Sequence, residues 1–181
     1  MAEQTTPSRR DPSAQQHFSL ALALSGGNAL GAYQAGACQA LQEHGLEPDR
    51  VAGASAGAIN GAILCGNPLE RRIANLEALW TPARVGAEQF SASPVEGARR
   101  TAAAAWTVAT GRPDLFVPRN LFGPWWNPLG NPEPSSLYDS RPMRATLERL
   151  IDFDRLNAGG PRLSVGAVNI RTGNLEYFDT A

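Results

Sequence analysis

Two stretches indicate how this chain folds: Leu20-Ala-Leu-Ala-Leu-Ser-Gly-Gly-Asn-Ala-Leu-Gly31 and Val51-Ala-Gly-Ala-Ser-Ala-Gly57. In each of them a short apolar run leads into a turn of small residues, and a helical pattern follows. A continuous apolar run bounded by turn residues is typical of a central parallel strand. Two successive strand–turn–helix units therefore predict an α/β fold with a parallel sheet.

The helices nearest these strands follow from hydrophobic spacing. Residues 31–44 are predicted to form the first helix, with Gly45 at a left-handed C-cap, and residues 56–65 the second. A third helix is predicted to end at Thr81-Pro82, because proline cannot donate the next helical hydrogen bond. Its apolar face is marked by Leu69, Ile73, Leu76 and Trp80.

The second half of the chain alternates between irregular and regular segments. A capping box at residues 93–96 predicts an Ala-rich helix, and six prolines predict irregular structure over residues 112–136. An amphipathic helix is marked by Met143, Leu147, Leu150 and Ile151. Residues 163–170 and 175–178 are predicted to be two strands of a hairpin, joined by residues 171–174.

Composition indicates one globular domain. The chain has 181 residues, of which 43% are hydrophobic and 18% charged, and these fractions are typical of a folded protein. The net charge is −1, and the arginines and carboxylates are scattered along the chain without a basic cluster. Nucleic acid is therefore not an expected partner. Every basic residue other than histidine is arginine, which excludes a P-loop lysine and a Schiff-base lysine.

The termini and the two cysteines suggest a cytoplasmic protein. Residues 1–17 are predicted to be a disordered tail, and residues 18–181 the folded part. No apolar run reaches the length of a signal peptide or a membrane span. Cys38 and Cys65 lie in predicted helices without a C-x-x-C motif or a histidine pair, so we expect reduced thiols and neither metal nor cofactor.

The pentapeptide Gly53-Ala-Ser-Ala-Gly57 matches the nucleophile elbow G-x-S-x-G. In that motif a serine occupies a sharp strand-to-helix turn, and glycines two positions away on either side avoid steric clashes. The following helix directs its positive N-terminal end at an anion forming nearby. Ser55 is therefore the candidate nucleophile. Taken alone, the pentapeptide fits equally well the start of a tightly packed Ala/Gly helix.

The earlier turn is the candidate oxyanion hole. Gly26, Gly27, Asn28 and Gly31 lie just after the first strand and open the first helix, where successive backbone N–H groups can bind an anion. Two other interpretations are a purely structural turn and a dinucleotide-binding loop, although the latter would require glycine at position 28. One strand–helix unit separates this turn from Ser55, which places both at neighbouring strand ends.

Together these motifs resemble the patatin-like phospholipase family. The likeness rests on residues 25–36 and 53–57, and it extends to residues 136–153 and to the hairpin at residues 169–178. The resemblance implies a three-layer α/β/α fold with a mainly parallel central sheet, incomplete at its C-terminus. It also implies hydrolysis of lipid esters by a Ser–Asp dyad without a metal, and transient contact with a membrane surface.

The resemblance assigns roles residue by residue. Ser55 is the expected nucleophile, the backbone amides of Gly26, Gly27, Asn28 and Gly31 and that of Ala56 form the expected oxyanion hole, and Gly53 and Gly57 flank the elbow. The family's catalytic aspartate lies in a late Asp-Gly motif, and the 181 residues contain no Asp-Gly. We therefore expect the aspartate beyond residue 181 and do not assign Asp152, Asp154 or Asp179 to its role.

Other functions remain open from the sequence. A non-catalytic remnant could bind lipid or a protein partner without turnover, and residues 26–31 could bind a nucleotide. The aromatic and proline-rich residues 115–126 could cover an acyl-chain site or simply attach a long loop to the domain. Neither His17 nor His44 follows Ser55 in the chain, so a triad in the order Ser–Asp–His is excluded.

Overall fold

The computed structural model describes residues 19–27, 29–88, 101, 111–119 and 138–180, with only the helical backbone described for residues 82–88. In chain order its elements are β1 (Ala21–Leu24), α1 (Leu30–Glu43), β2 (Arg50–Ala54), α2 (Ala56–Cys65), α3 (Leu69–Glu88), β3 (Val117–Pro118), β4 (Tyr138–Asp139), α4 (Arg141–Leu150), α5 (Phe153–Asn157), β5 (Arg162–Val168) and β6 (Leu175–Asp179).

The central sheet has the strand order β1-β2-β5-β6. β1, β2 and β5 are parallel, and β6 pairs antiparallel with β5 as the predicted hairpin. Helices flank this mainly parallel sheet, so the chain has the predicted α/β fold. Leu24 is opposite Gly53 in the register of β1 and β2. The turns that follow these two strands therefore lie at the same edge of the sheet.

The hydrophobic core lies where α2 packs between the sheet and the helices α1 and α3. Ile63 on α2 is fully buried, as are Leu76 on α3 and Val51 on β2. Burying such a side chain stabilises the fold by about 1.5–3 kcal/mol. Gly61 brings α2 close to the sheet, because a Cβ atom there would lie 3.0 Å from both Val51 Cγ1 and Leu163 Cδ1.

The predicted end of α3 at Thr81-Pro82 is wrong, because the helix continues to Glu88. Proline removes one helical donor, but nearby groups bond to neighbouring carbonyls. The Thr81 hydroxyl donates to the Glu77 carbonyl at 2.7 Å, and the Arg112 guanidinium donates to the Leu79 carbonyl. The helix thus continues through Pro82 although its local sequence disfavours it.

Two further details differ from the sequence prediction. The short helix α5 is not predicted; the Asp152 side chain caps it by accepting from the Arg155 backbone N–H at 2.9 Å. β5 ends at Val168, two residues earlier than expected. There the Asn169 side chain accepts from the Arg171 backbone N–H at 2.9 Å, which starts the turn of the hairpin.

Other predictions are confirmed or lie outside the described residues. α1 ends at Glu43, one residue earlier than expected, and Gly45 has the expected left-handed conformation, with φ = 69°, and donates to the Gln42 carbonyl. The amphipathic helix is present as α4. In the proline-rich part, β3 forms only a two-residue antiparallel pairing with β4. The predictions for residues 1–17, 93–96 and 120–136, and for Asn28, concern parts of the chain that the structure does not describe.

Candidate active site

The turn after β1 adopts a backbone conformation that requires glycine. Gly27 has φ = 149°, a value that residues other than glycine rarely adopt. Its carbonyl accepts a hydrogen bond from the Leu30 backbone N–H at 3.0 Å as α1 begins. The Gln34 side chain donates to the Ser25 carbonyl at 2.7 Å and so holds the start of the turn.

Ser55 occupies a strained position between β2 and α2. Its backbone has φ = 52° and ψ = −124°, and among the described residues it alone has a positive φ without being glycine. Such strain costs about 1–3 kcal/mol and is concentrated at functional sites. The Ser55 side chain is exposed and makes no capping hydrogen bond to α2. Its hydroxyl therefore does not cap the helix that follows it.

The flanking glycines allow the elbow to pack tightly against the end of β1. A Cβ atom on Gly53 would lie 2.6 Å from the Gly57 carbonyl oxygen. A Cβ atom on Gly57 would lie 2.1 Å from the Leu24 carbonyl oxygen. Because these neighbours are backbone atoms, they could not yield to a larger residue. Both positions therefore require glycine for steric reasons, as the elbow motif predicts.

The structure brings the two turns into direct contact. A Cβ atom built on Gly26 would lie 3.2 Å from Ser55 Cβ and 3.8 Å from Ser55 Oγ. Gly26 is therefore next to the serine side chain, although the two residues are 29 positions apart in sequence. Ala56, the first residue of α2, lies directly after Ser55. Helix geometry leaves its N–H without a partner inside the helix.

Gly31 is placed in the packing between helices. It is buried, and a Cβ atom there would lie 2.3 Å from the Trp80 side chain and 3.1 Å from the Ala56 Cβ. The contacts shown for Gly31 are thus packing contacts between α1, α2 and α3. The sequence gives it an oxyanion role through its amide, and that role stays a prediction.

A polar network behind the two turns is a feature that sequence reasoning missed. Asn60 is fully buried on α2 and donates to the Gly31 carbonyl at 2.9 Å and to Gln34 Oε1 at 3.1 Å. Its Oδ1 accepts from the Trp80 indole N–H at 2.9 Å. A single amide side chain in the otherwise apolar helix Ala56–Cys65 was the available sequence signal.

Arg112 lies over a ring of Trp80 and so extends this network. The Arg112 guanidinium carbon lies 5.1 Å from the centre of a Trp80 ring, within range of a cation–π interaction. Burial lowers the pKa of Arg112 from its ordinary value, and nearby Asp114 opposes that shift. The same guanidinium donates to the Leu79 carbonyl. Arg112 therefore ties the segment after residue 110 to α3.

Two of the aspartates that the sequence analysis left unassigned have structural contacts. Asp152 caps α5 through the Arg155 backbone N–H. Asp179 pairs with Arg162 at 2.8 Å and accepts from the Ser164 hydroxyl at 2.5 Å. These contacts account for both carboxylates without a role at Ser55.

The described part of the chain also bears on metal binding, on the two thiols and on membrane crossing. No three His, Cys, Asp or Glu side chains lie together there as metal ligands. Burial raises the pKa of the Cys38 and Cys65 thiols to about 11, with Arg72 opposing the shift at Cys65. Both thiols are therefore protonated near neutral pH. None of the described helices has the length and apolar character needed to cross a bilayer.

A comparison with known protein families gives a match over most of the chain. A family model described as patatin-like phospholipase matches residues 22–180 of the chain. The matched range includes both turns, the network behind them and the hairpin. A search of curated proteins gives no match.

Proposed function

Because the chain belongs to the patatin-like phospholipase family, we propose that it hydrolyses acyl esters of lipids with Ser55 as the nucleophile. One observation carries this proposal: a strained, exposed serine lies at a helix N-terminus and directly beside the turn after β1 that contains Gly26 and Gly27, called the glycine turn below. A purely structural helix start would not require the positive φ of Ser55. The strain is consistent with selection for an exposed hydroxyl.

In the proposed reaction, Ser55 Oγ forms a bond to the ester carbonyl carbon, and the carbonyl electron pair moves onto its oxygen. The backbone N–H groups of Gly27 and Asn28, with that of Ala56, would donate to this oxyanion. Collapse of the intermediate breaks the ester C–O bond, and the leaving oxygen takes the proton that the base removed from Ser55, so that an alcohol is released and the acyl group stays on Ser55. Water then hydrolyses this acyl-enzyme.

The remaining site residues have supporting roles in this proposal. Gly26 leaves room beside the hydroxyl, and Gly53 and Gly57 allow the sharp elbow. Gly31 is included with the oxyanion residues because of its place in the glycine motif. The base that accepts the Ser55 proton is an aspartate by analogy with the family. The contacts of Asp152 and Asp179 argue against either of them in that role.

A lipid substrate also implies where the protein acts. We propose a cytoplasmic protein that contacts the membrane surface transiently to reach its ester. Co-sedimentation with phospholipid vesicles measures such contact. Binding that resists repeated washing would contradict a transient encounter.

Reaction of full-length protein with a fluorophosphonate probe tests the nucleophile. Labelling should occur at Ser55, because only an activated serine attacks the phosphorus atom. Ser55→Ala should abolish labelling and lower kcat for a lipid ester by at least about 10³-fold, since it removes the nucleophile. The unfolding midpoint should not fall.

Ser140→Ala is the matched control. Ser140 is also an exposed serine that precedes a helix without capping it by its side chain, and its replacement should change neither labelling nor turnover. Turnover retained in Ser55→Ala would overturn the assignment. An unlabelled wild-type protein would favour a non-catalytic lipid-binding or partner-binding function.

A further inference from the structure

The hydrogen-bond partners of the buried Asn60 side chain determine which way its amide oxygen and nitrogen point. The Trp80 indole N–H can only donate, so the Asn60 oxygen must face it at 2.9 Å. The Asn60 amide nitrogen must then face the opposite way, toward the Gly31 carbonyl and Gln34 Oε1. One donor-only group thus fixes the orientation of the whole amide.

The same logic fixes the orientation of Gln34. Its oxygen accepts from Asn60, so its nitrogen is left to donate to the Ser25 carbonyl at 2.7 Å. Ser25 immediately precedes Gly26, the residue that contacts Ser55. The bonds therefore run in one direction from Trp80 through Asn60 and Gln34 to the backbone of the glycine turn. A donor-only group begins the series and a carbonyl ends it.

The network connects the two turns from behind. Asn60 lies on α2, whose first turn directly follows Ser55, and its fully buried side chain makes three hydrogen bonds. Gln34 and Gly31 lie on α1, which starts at the end of the glycine turn. A bond between these helices sets the distance from the elbow to the turn. Trp80 packs against Gly31 and closes the other side.

We propose that Asn60 and Gln34 are positioning residues for the oxyanion hole: their hydrogen bonds hold the glycine turn at the correct distance from Ser55. This inference rests on the proposed hydrolysis at Ser55. Oxyanion donors act on charge that develops in the transition state, so a displaced turn reduces kcat. Binding of the uncharged ester depends less on the turn, so KM should change little.

Gln34→Met tests this directly, since methionine has a similar length and makes neither hydrogen bond. We expect kcat for a p-nitrophenyl ester to fall about 10-fold, KM to stay within about 2-fold and the unfolding midpoint to hold. Gln39→Met is the matched control. Gln39 lies on the same helix, and its side chain donates to Glu43 within that helix, so its replacement should leave kcat unchanged.

Asn60→Asp provides a second, more severe variant. Aspartate keeps an acceptor for Trp80 but points an oxygen at the Gly31 carbonyl and at Gln34 Oε1. We expect a larger fall in kcat than for Gln34→Met. In the double variant the losses should be less than additive, because both side chains act through one series of bonds.

The outcomes separate this inference from the proposed function. A wild-type protein that reacts with a fluorophosphonate at Ser55, while Gln34→Met reacts and turns over equally fast, overturns the positioning role alone. A rise in KM with constant kcat overturns it as well. A wild-type protein that neither reacts nor turns over overturns both. Since Gln34 is only half-buried, its variant should fold even if Asn60→Asp does not.

Discussion

The two sides of the central sheet are built in different ways. At β1 and β2, the start of α2 passes the end of β1 so closely that a single added carbon on Gly57 would lie 2.1 Å from the Leu24 oxygen. At β5 and β6, by contrast, the strands pair as a hairpin, and every residue of β6 is exposed. The first side is defined by steric limits on glycine, and the second by hydrogen bonds and ion pairs near the surface.

This difference indicates which side tolerates change. The candidate active site lies entirely on the sterically limited side, where a displacement of a few tenths of an ångström alters the position of Ser55. The hairpin can exchange many of its exposed side chains at little cost, because each cross-strand pair contributes only about 0.2–1 kcal/mol. Within one four-stranded sheet, the side with β1 and β2 is thus sensitive to substitution and the hairpin of β5 and β6 is tolerant of it.

Gly57→Ala should have the largest effect on stability. The added methyl group would meet backbone atoms of Leu24 that cannot move aside, so we expect a loss of about 3 kcal/mol or more in the free energy of unfolding. Urea denaturation measures it. Gly36→Ala is the control, because a Cβ atom there meets no atom within 4 Å. That helical substitution should stabilise by about 0.5–1 kcal/mol, and equal stabilities of the two variants would contradict the steric account.

Gly26→Ala should separate activity from stability. Its methyl group would lie 3.2 Å from Ser55 Cβ, in contact with a side chain rather than inside the backbone. We expect kcat to fall by about 10- to 100-fold, with about 1 kcal/mol or less lost in unfolding free energy. Steady-state hydrolysis of a p-nitrophenyl ester and urea denaturation measure the two effects.

The hairpin provides the control for that prediction. A Cβ atom on Gly166 in β5 would lie 3.5 Å from the Tyr177 ring, an ordinary van der Waals contact. Gly166→Ala should therefore leave kcat unchanged. A similar fall in kcat for both glycine variants would show that the two sides of the sheet are not distinct in the way described.

Asn169→Ala should have the smallest effect. Its side chain accepts from the Arg171 backbone N–H and donates to Glu176 at 2.8 Å, so its loss should cost about 1 kcal/mol of stability without changing kcat. Thermal unfolding detects the shift. Arg171→Ala keeps the backbone N–H and should stay within about 0.5 kcal/mol of the wild type. A loss of activity in Asn169→Ala would link the hairpin to the active site.

Local sequence patterns predicted the parts of the fold that local interactions determine. β1, β2, α1 and α2 are where apolar runs, glycine turns and helical spacing placed them. The contact between the two turns was also predictable, because neighbouring parallel strands end at one edge of the sheet. The continuation of α3 past Pro82 was not, since proline locally favours a helix end and the bond from Arg112 to the Leu79 carbonyl joins residues 33 apart in sequence.

The candidate site was predictable only in part, for a related reason. Ser55 and its glycines form a fixed spacing that the sequence displays. Asn60, Gln34 and Trp80 are distant from one another in sequence and come together only when three helices pack. A buried amide in an apolar helix was a visible anomaly, but its partners depend on helix orientation. Tertiary hydrogen bonds of this kind do not follow from periodicity.

The backbone conformation of Ser55 has an evolutionary consequence. A left-handed dihedral at a non-glycine residue lowers folding stability, and glycine at the same position would relieve that strain at once. Selection for thermal robustness alone would thus favour glycine at position 55, whereas selection for chemistry would reject it. The hydroxyl at this position therefore marks a trade-off between endurance and reactivity.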